Sequence, residues 1–150
     1  MSPSNRYTAT IALFVALGGF LMGFDASVIS GVVGFIEVEF SLTKIQVGWS
    51  VSSLALTATL AMMLSGPLSD RIGRRPVLRL AAVLFAVLAI LSALAPNFLW
   101  LVIARMLGGL GVGAALIIAP MYIAEMAPPE SRGRLVSFNQ LNIVIGISVA

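Results

Sequence analysis

Long stretches without a single charge dominate this chain. Residues 7–24, 26–36, 45–69, 80–104 and 106–124 contain no Asp, Glu, Lys or Arg. About 20 mainly apolar residues cross the hydrocarbon core of a bilayer, and four of these runs reach or approach that length. The chain has 150 residues, 59% of them hydrophobic and 10% charged, with a mean hydropathy of +1.06. A soluble domain of that size has too small an interior to hide so much apolar surface, whereas a membrane protein leaves it in lipid. Inside lipid the backbone must hydrogen-bond to itself, so each run predicts an α-helix. The expected fold is all-α: a polytopic transmembrane helix bundle with helices at about residues 10–34, 46–67, 77–96, 99–122 and 135–150.

The Lys and Arg residues give an orientation. With the N-terminus in the cytoplasm, Arg6, Arg71, Arg74, Arg75, Arg79, Arg132 and Arg134 fall inside and only Lys44 outside. That is the bias expected of a multi-pass cell-membrane protein. Trp49 and Trp100 then lie at the outer interface, where indoles favour the headgroup region. The net charge of +3 gives no reason to expect a nucleic-acid partner, because the basic residues cluster in short loops between apolar runs. The first apolar segment is too long for a cleavable signal peptide. The chain has no cysteine and no histidine. That removes disulfides, thiolate chemistry and His-based metal or Ser-His sites, so neither an enzyme nor a cofactor is expected. The last segment stops while still apolar, which reads as a piece of a longer protein.

Two ionisable residues interrupt the apolar runs. Asp25 sits in the first segment and Arg105 in the fourth. A charge at membrane depth is costly, so it faces a partner or a polar cavity and marks a transport path. At 1.5 Å per residue, Arg105 lies about 12 Å below the outer end of its helix and Asp25 about 15 Å below the outer end of its own. Opposite signs at similar depth predict a pair. Gly19 with Gly23, and Gly109 with Gly113, have spacings that permit close helix approach. Arg105, Gly109 and Gly113 share one face, which is expected to admit the first helix.

The loop between the second and third helices reads Gly66-Pro67-Leu68-Ser69-Asp70-Arg71-Ile72-Gly73-Arg74-Arg75. Gly73 permits a tight reversal at positive φ. Asp70 and the arginines can form a charge-paired clasp. This pattern resembles the signature loop of the major facilitator superfamily. Leu107, Gly109, Gly113, Tyr122, Glu125 and Arg132 are spaced like the long signature of its sugar porter branch. Gly23-Phe24-Asp25-Ala26-Ser27-Val28-Ile29-Ser30-Gly31 is similar to that branch's first helix, with Phe24 in place of tyrosine. The resemblance covers the first five of twelve expected helices, part of an N-terminal six-helix bundle.

The resemblance implies secondary active transport of a monosaccharide, a hexose or pentose, by alternating access. Proton symport is the preferred form, with Asp25 and Arg105 as the coupling pair. The fifth helix would bring Gln140, Ile143 and Ile147 to the sugar, and their spacing of 3 and 4 puts them on one stripe. An amide suits a sugar because it both donates and accepts. Asp70, Arg74, Arg75, Glu125 and Arg132 would form a cytoplasmic gate. The implied partners are the sugar, a proton, the lipid bilayer and the second bundle of the same protein. Asn139 and Asn142 fall on other faces and are expected to pack. Thr57 and Thr59 are expected to satisfy their own backbone. A facilitative uniporter, an exporter of drugs or organic acids, and a sensor on the same fold are the competing readings.

Overall fold

Turn chemistry sets where the helices stop. The computed structural model describes residues 3–150 and contains α1 (Pro3–Glu39), α2 (Lys44–Ile72), α3 (Arg74–Ala93), α4 (Phe98–Met126) and α5 (Arg132–Val149). α1, with 37 residues, is about 55 Å long and exceeds the roughly 30 Å hydrocarbon core at 1.5 Å per residue. It runs past the expected limits of 10 and 34, because charged residues such as Arg6 and Glu37 are good helix formers once outside the lipid. α2 opens on a capping box: the Gln46 amide donates to Thr43 Oγ1 and the Thr43 amide donates to Gln46 Oε1 at 2.9 Å. Such a box satisfies two otherwise orphaned donors. α4 is capped by Asn97, whose Oδ1 accepts from the Trp100 amide at 3.1 Å.

The inner ends of α2 and α4 depart from the expected 67 and 122. Both helices run on through a proline, Pro67 and Pro120. A proline within a membrane helix removes one hydrogen bond without ending the helix, since lipid offers the backbone nothing better. α3 begins and ends three residues earlier than the expected 77 and 96. Its end precedes Pro96, which disfavours helical backbone in the residue before it. α5 begins at Arg132 rather than 135. Four helices, α1 to α4, are long and apolar enough to cross a membrane. The two arginines and three amides of α5 lower its hydropathy.

The chain divides into two compact units, residues 1–30 with 119–150, and residues 31–118. In the first, α1 and α5 run parallel and are notched into each other. A Cβ added at Gly23 would collide with the Ile143 carbonyl, and one at Gly146 with the Phe20 carbonyl. Each of these glycines therefore aims a Cα–H at a carbonyl oxygen across the seam. Such contacts contribute about 0.5–1 kcal/mol each and recur between closely packed helices. On α1, Thr8, Ala12 and Ala16 continue the buried stripe that Gly19 and Gly23 begin.

In the second unit every notch lies on α4. Gly109 meets Thr57 and the Leu54 carbonyl of α2, and Gly113 meets the Ala58 carbonyl. Gly108 meets the Leu88 side chain of α3, and Gly111 meets the Ala81 carbonyl. α4 is thus parallel to α2 and antiparallel to α3, as the short 94–97 connection requires. The face bearing Gly109 and Gly113 admits α2, not the first helix as its spacing suggested. The reason is that α2 offers small residues at matching intervals. Ser50, Ser53, Thr57, Ala61, Ser65 and Ser69 form its buried face.

Candidate functional site

The α2–α3 corner is built on one residue. Gly73 has φ 92°, a conformation that a Cβ strongly disfavours, and its amide closes α2 by donating to the Ser69 carbonyl. The reversal sets Arg74, the first residue of α3, against the last turn of α2. Its Nη1 donates to Asp70 Oδ1 at 2.6 Å and also to Ser69 Oγ. Asp70 is exposed, while Ser69 is buried and its own hydroxyl donates to the Gly66 carbonyl at 2.8 Å. The structure therefore brings Asp70 and Arg74 together as expected and adds Ser69 to the clasp. A small hydroxylated residue directly before the acid was the available signal. Arg75 is exposed. Glu125 and Arg132 belong to the other unit, and both are exposed.

Arg105 is 4% exposed within α4. By the register in which Gly109 meets Leu54 and Gly113 meets Ala58, Arg105 comes level with Ser50 and Ser53 of α2. Both serines are buried, and their hydroxyls donate to backbone carbonyls of their own helix, Ser50 to Val47 and Ser53 to Ser50. Thr57 and Thr59 do the same, to Ser53 and Ala55. These hydroxyls give their protons to their own helix, and each oxygen keeps a lone pair able to accept.

Asp25 lies on α1 two residues beyond Gly23, which packs on Ile143 and Ile147. At about 100° per residue, Asp25 points roughly 160° around α1 from Gly23. Its carboxylate therefore leaves the α5 contact and is half-buried. Asp25 and Arg105 each take part in a polar interaction, and they fall in different units.

On α5, Asn139, Ile143 and Gly146 line the seam with α1. Gln140 and Ile147 stand on the flank of that stripe and are exposed, with Ile143 half-buried between them. The three lie along one flank of α5, with Ile143 divided between that flank and the α1 contact. Asn139 is buried against Gly19, in keeping with packing. Asn142 is half-buried and donates its amide to the Phe138 carbonyl at 2.8 Å.

These features are those of a membrane transporter scaffold: glycine-notched apolar helices, a charged helix–helix corner and ionisable residues within the spans. A family profile described as "Sugar (and other) transporter" matches residues 11–150. The chain belongs to the sugar porter family of the major facilitator superfamily and corresponds to its N-terminal part. Members of this family are transporters and not enzymes. It is 45% identical to a D-xylose transporter of Levilactobacillus brevis, over 95% of this chain and 31% of that protein. It is 44% identical to an arabinose-proton symporter of Bacillus subtilis, over 98% of this chain and 32% of the relative. Among solved structures, the inward-open xylose transporter XylE from E. coli matches with a TM-score of 0.84 and 38% identity, over 94% of this chain and 38% of that one. The proton:xylose symporter XylE bound to 6-bromo-6-deoxy-D-glucose matches with a TM-score of 0.87 and 37% identity, over 97% of this chain and 36% of the other. The chain thus spans about a third of the length of the relatives it matches.

Proposed function

We propose that this chain is the N-terminal portion of a proton-coupled monosaccharide transporter of the cell membrane, with its N-terminus in the cytoplasm. The observation that carries the reading is Arg105, buried at 4% exposure between the charge-free runs 80–104 and 106–124. A guanidinium stays charged, so burying it at membrane depth calls for a counter-charge. Asp25, which interrupts the apolar sequence of α1, is the acid suited to that role. When Asp25 takes up a proton from outside, its charge is neutralised and its hold on Arg105 weakens. The cost of changing state then falls, and two helical bundles can rock around a site at the midplane. Gln140 reads sugar hydroxyls while Ile143 and Ile147 pack on the ring. Asp70, Arg74, Arg75, Glu125 and Arg132 close the cytoplasmic side, with the second bundle of the same protein completing both site and gate.

Support for a sugar as substrate comes from relatives named as xylose, arabinose, glucose and galactose carriers. Support for proton coupling comes from relatives named as arabinose-proton and galactose-proton symporters and from the proton:xylose symporter XylE. The test is sugar-induced alkalinisation in proteoliposomes carrying the complete gene product. Xylose, arabinose, glucose or galactose should drive proton entry with the wild type. Asp25→Asn should reduce accumulation against a gradient by at least about 10-fold while sparing sugar exchange, because only the coupling charge is lost. Intact proton-driven accumulation in Asp25→Asn would leave a uniporter as the better reading.

A further inference from the structure

We infer that Asn139 is a positioning residue for the sugar-facing flank of α5, setting the rotation at which Gln140 and Ile147 are presented. The inference rests on the sugar-transport reading above.

Asn139 is 3% exposed, and its Oδ1 accepts no hydrogen bond among the described residues. Its neighbour across the seam is Gly19, where an added Cβ would lie 3.0 Å from that oxygen and 3.2 Å from the Asn139 carbonyl. Gly19 thus offers the amide a berth and a Cα–H, the weakest kind of donor. A leucine or alanine would fill such a berth without stranding an amide oxygen, so close packing does not account for an asparagine there.

Rotation does account for it. Successive helical residues differ by about 100°, so the setting of Asn139 fixes that of Gln140. With Asn139 facing Gly19, Gln140 and Ile147 fall on the exposed flank. Turning α5 the other way would carry the Asn139 amide out towards hydrocarbon and draw Gln140 into a seam too narrow for it. An amide is costly to expose to lipid, and a leucine is not. The asparagine therefore holds α5 at one angle, where an apolar residue would let it roll. Gly146 fixes the same contact further along, against Phe20 and Phe24. Asn142 has no such role, because its amide is satisfied by its own helix.

The test pairs a transport measurement with a reading of helix rotation. These 150 residues contain no cysteine, so Gln140→Cys in a cysteine-free form of the complete gene product reports that position by its maleimide labelling rate. Asn139→Leu should raise the sugar KM about 5-fold or more with Vmax within about 2-fold, and should slow labelling of Gln140→Cys by a similar factor. Gly19→Ala should shift both readouts the same way, because its methyl displaces the amide. Asn139→Ala serves if the leucine variant fails to fold. Unchanged KM and labelling in a folded variant would overturn the inference, as would a raised KM with unchanged labelling. If the wild type moves no sugar in the panel, the transport reading fails, and the labelling rates alone decide whether Asn139 sets the rotation.

Discussion

The two units solve the problem of close helix packing in different ways. In the first, α1 and α5 notch each other reciprocally, with Gly19 and Gly23 on one helix and Gly146 on the other. In the second, all four notches are on α4, which receives α2 on one face and α3 on another. Their polar side chains differ in parallel. The buried hydroxyls of α2 donate to their own backbone. On α5 the Asn139 oxygen is left without a hydrogen bond, and Gln140 is exposed. A polar residue whose proton is taken by its own helix asks little of its surroundings, although its oxygen can still accept, as that of Ser69 does from Arg74. One without such a bond is available to a neighbour, a solute or a change of state. Polar residues in membrane spans are better sorted by that criterion than by their mere presence.

The largest effect expected from this contrast is at Gly113. Its missing side chain faces the backbone of Ala58, which cannot move aside. Gly113→Leu should remove folded protein almost entirely, as read by detergent-stable monodisperse yield, since overpacking by this much exceeds the usual cost of about 1–3 kcal/mol. Normal yield would mean that α2 and α4 are not held at backbone distance. Gly108 sharpens the point, because it faces the Leu88 side chain instead. Gly108→Ala should cost about 1–3 kcal/mol, and adding Leu88→Ala should recover part of that loss in a thermal-stability double-mutant cycle. No recovery would show that backbone, not side chain, limits the α3 contact.

Smaller changes are expected where neither packing scheme applies. Gly18 is exposed on α1 and an added methyl there meets nothing within 4 Å. Gly18→Ala should stabilise by up to about 1 kcal/mol through helix propensity, seen as a slight rise in Tm. A fall would place a neighbour at that face. Smaller still is the stability effect of Asp70→Asn. The acid is 68% exposed in its pair with Arg74, and exposed pairs contribute about 0.2–1 kcal/mol. Its Tm should barely move, whereas the rate of conformational exchange, followed by a reporter at the cytoplasmic end, should change if the pair belongs to a gate.

Much of this fold was legible in the sequence because lipid enforces a simple rule: a charge-free run becomes a helix. The α2–α3 corner was legible for another reason, since the demand of Gly73 for positive φ and the Asp70–Arg74 spacing are both local. Helix ends were less so. Pro67 reads as a terminator in water but not in a membrane, and the cap at Asn97 lies in a side-chain contact that hydropathy does not register. Partner choice was the least legible. The spacing of Gly109 and Gly113 announces a close approach but does not say by which helix. That depends on the serine stripe of α2, more than 40 residues upstream. The stripe of Gln140, Ile143 and Ile147 on α5 was half legible: its spacing is local, but the share of Ile143 given to the seam depends on where α1 places its glycines.

The single-residue link at Gly73 has a mechanical consequence. One residue between two helices gives a tether of about 8 Å between the Cα atoms on either side, at 3.8 Å per step. Without slack, α2 cannot slide like a piston past the start of α3. The two rods can only change the angle between them, pivoting where Ser69, Asp70 and Arg74 meet. Whatever displaces one rod at that end therefore displaces the other, and a push on either is delivered to both as torque.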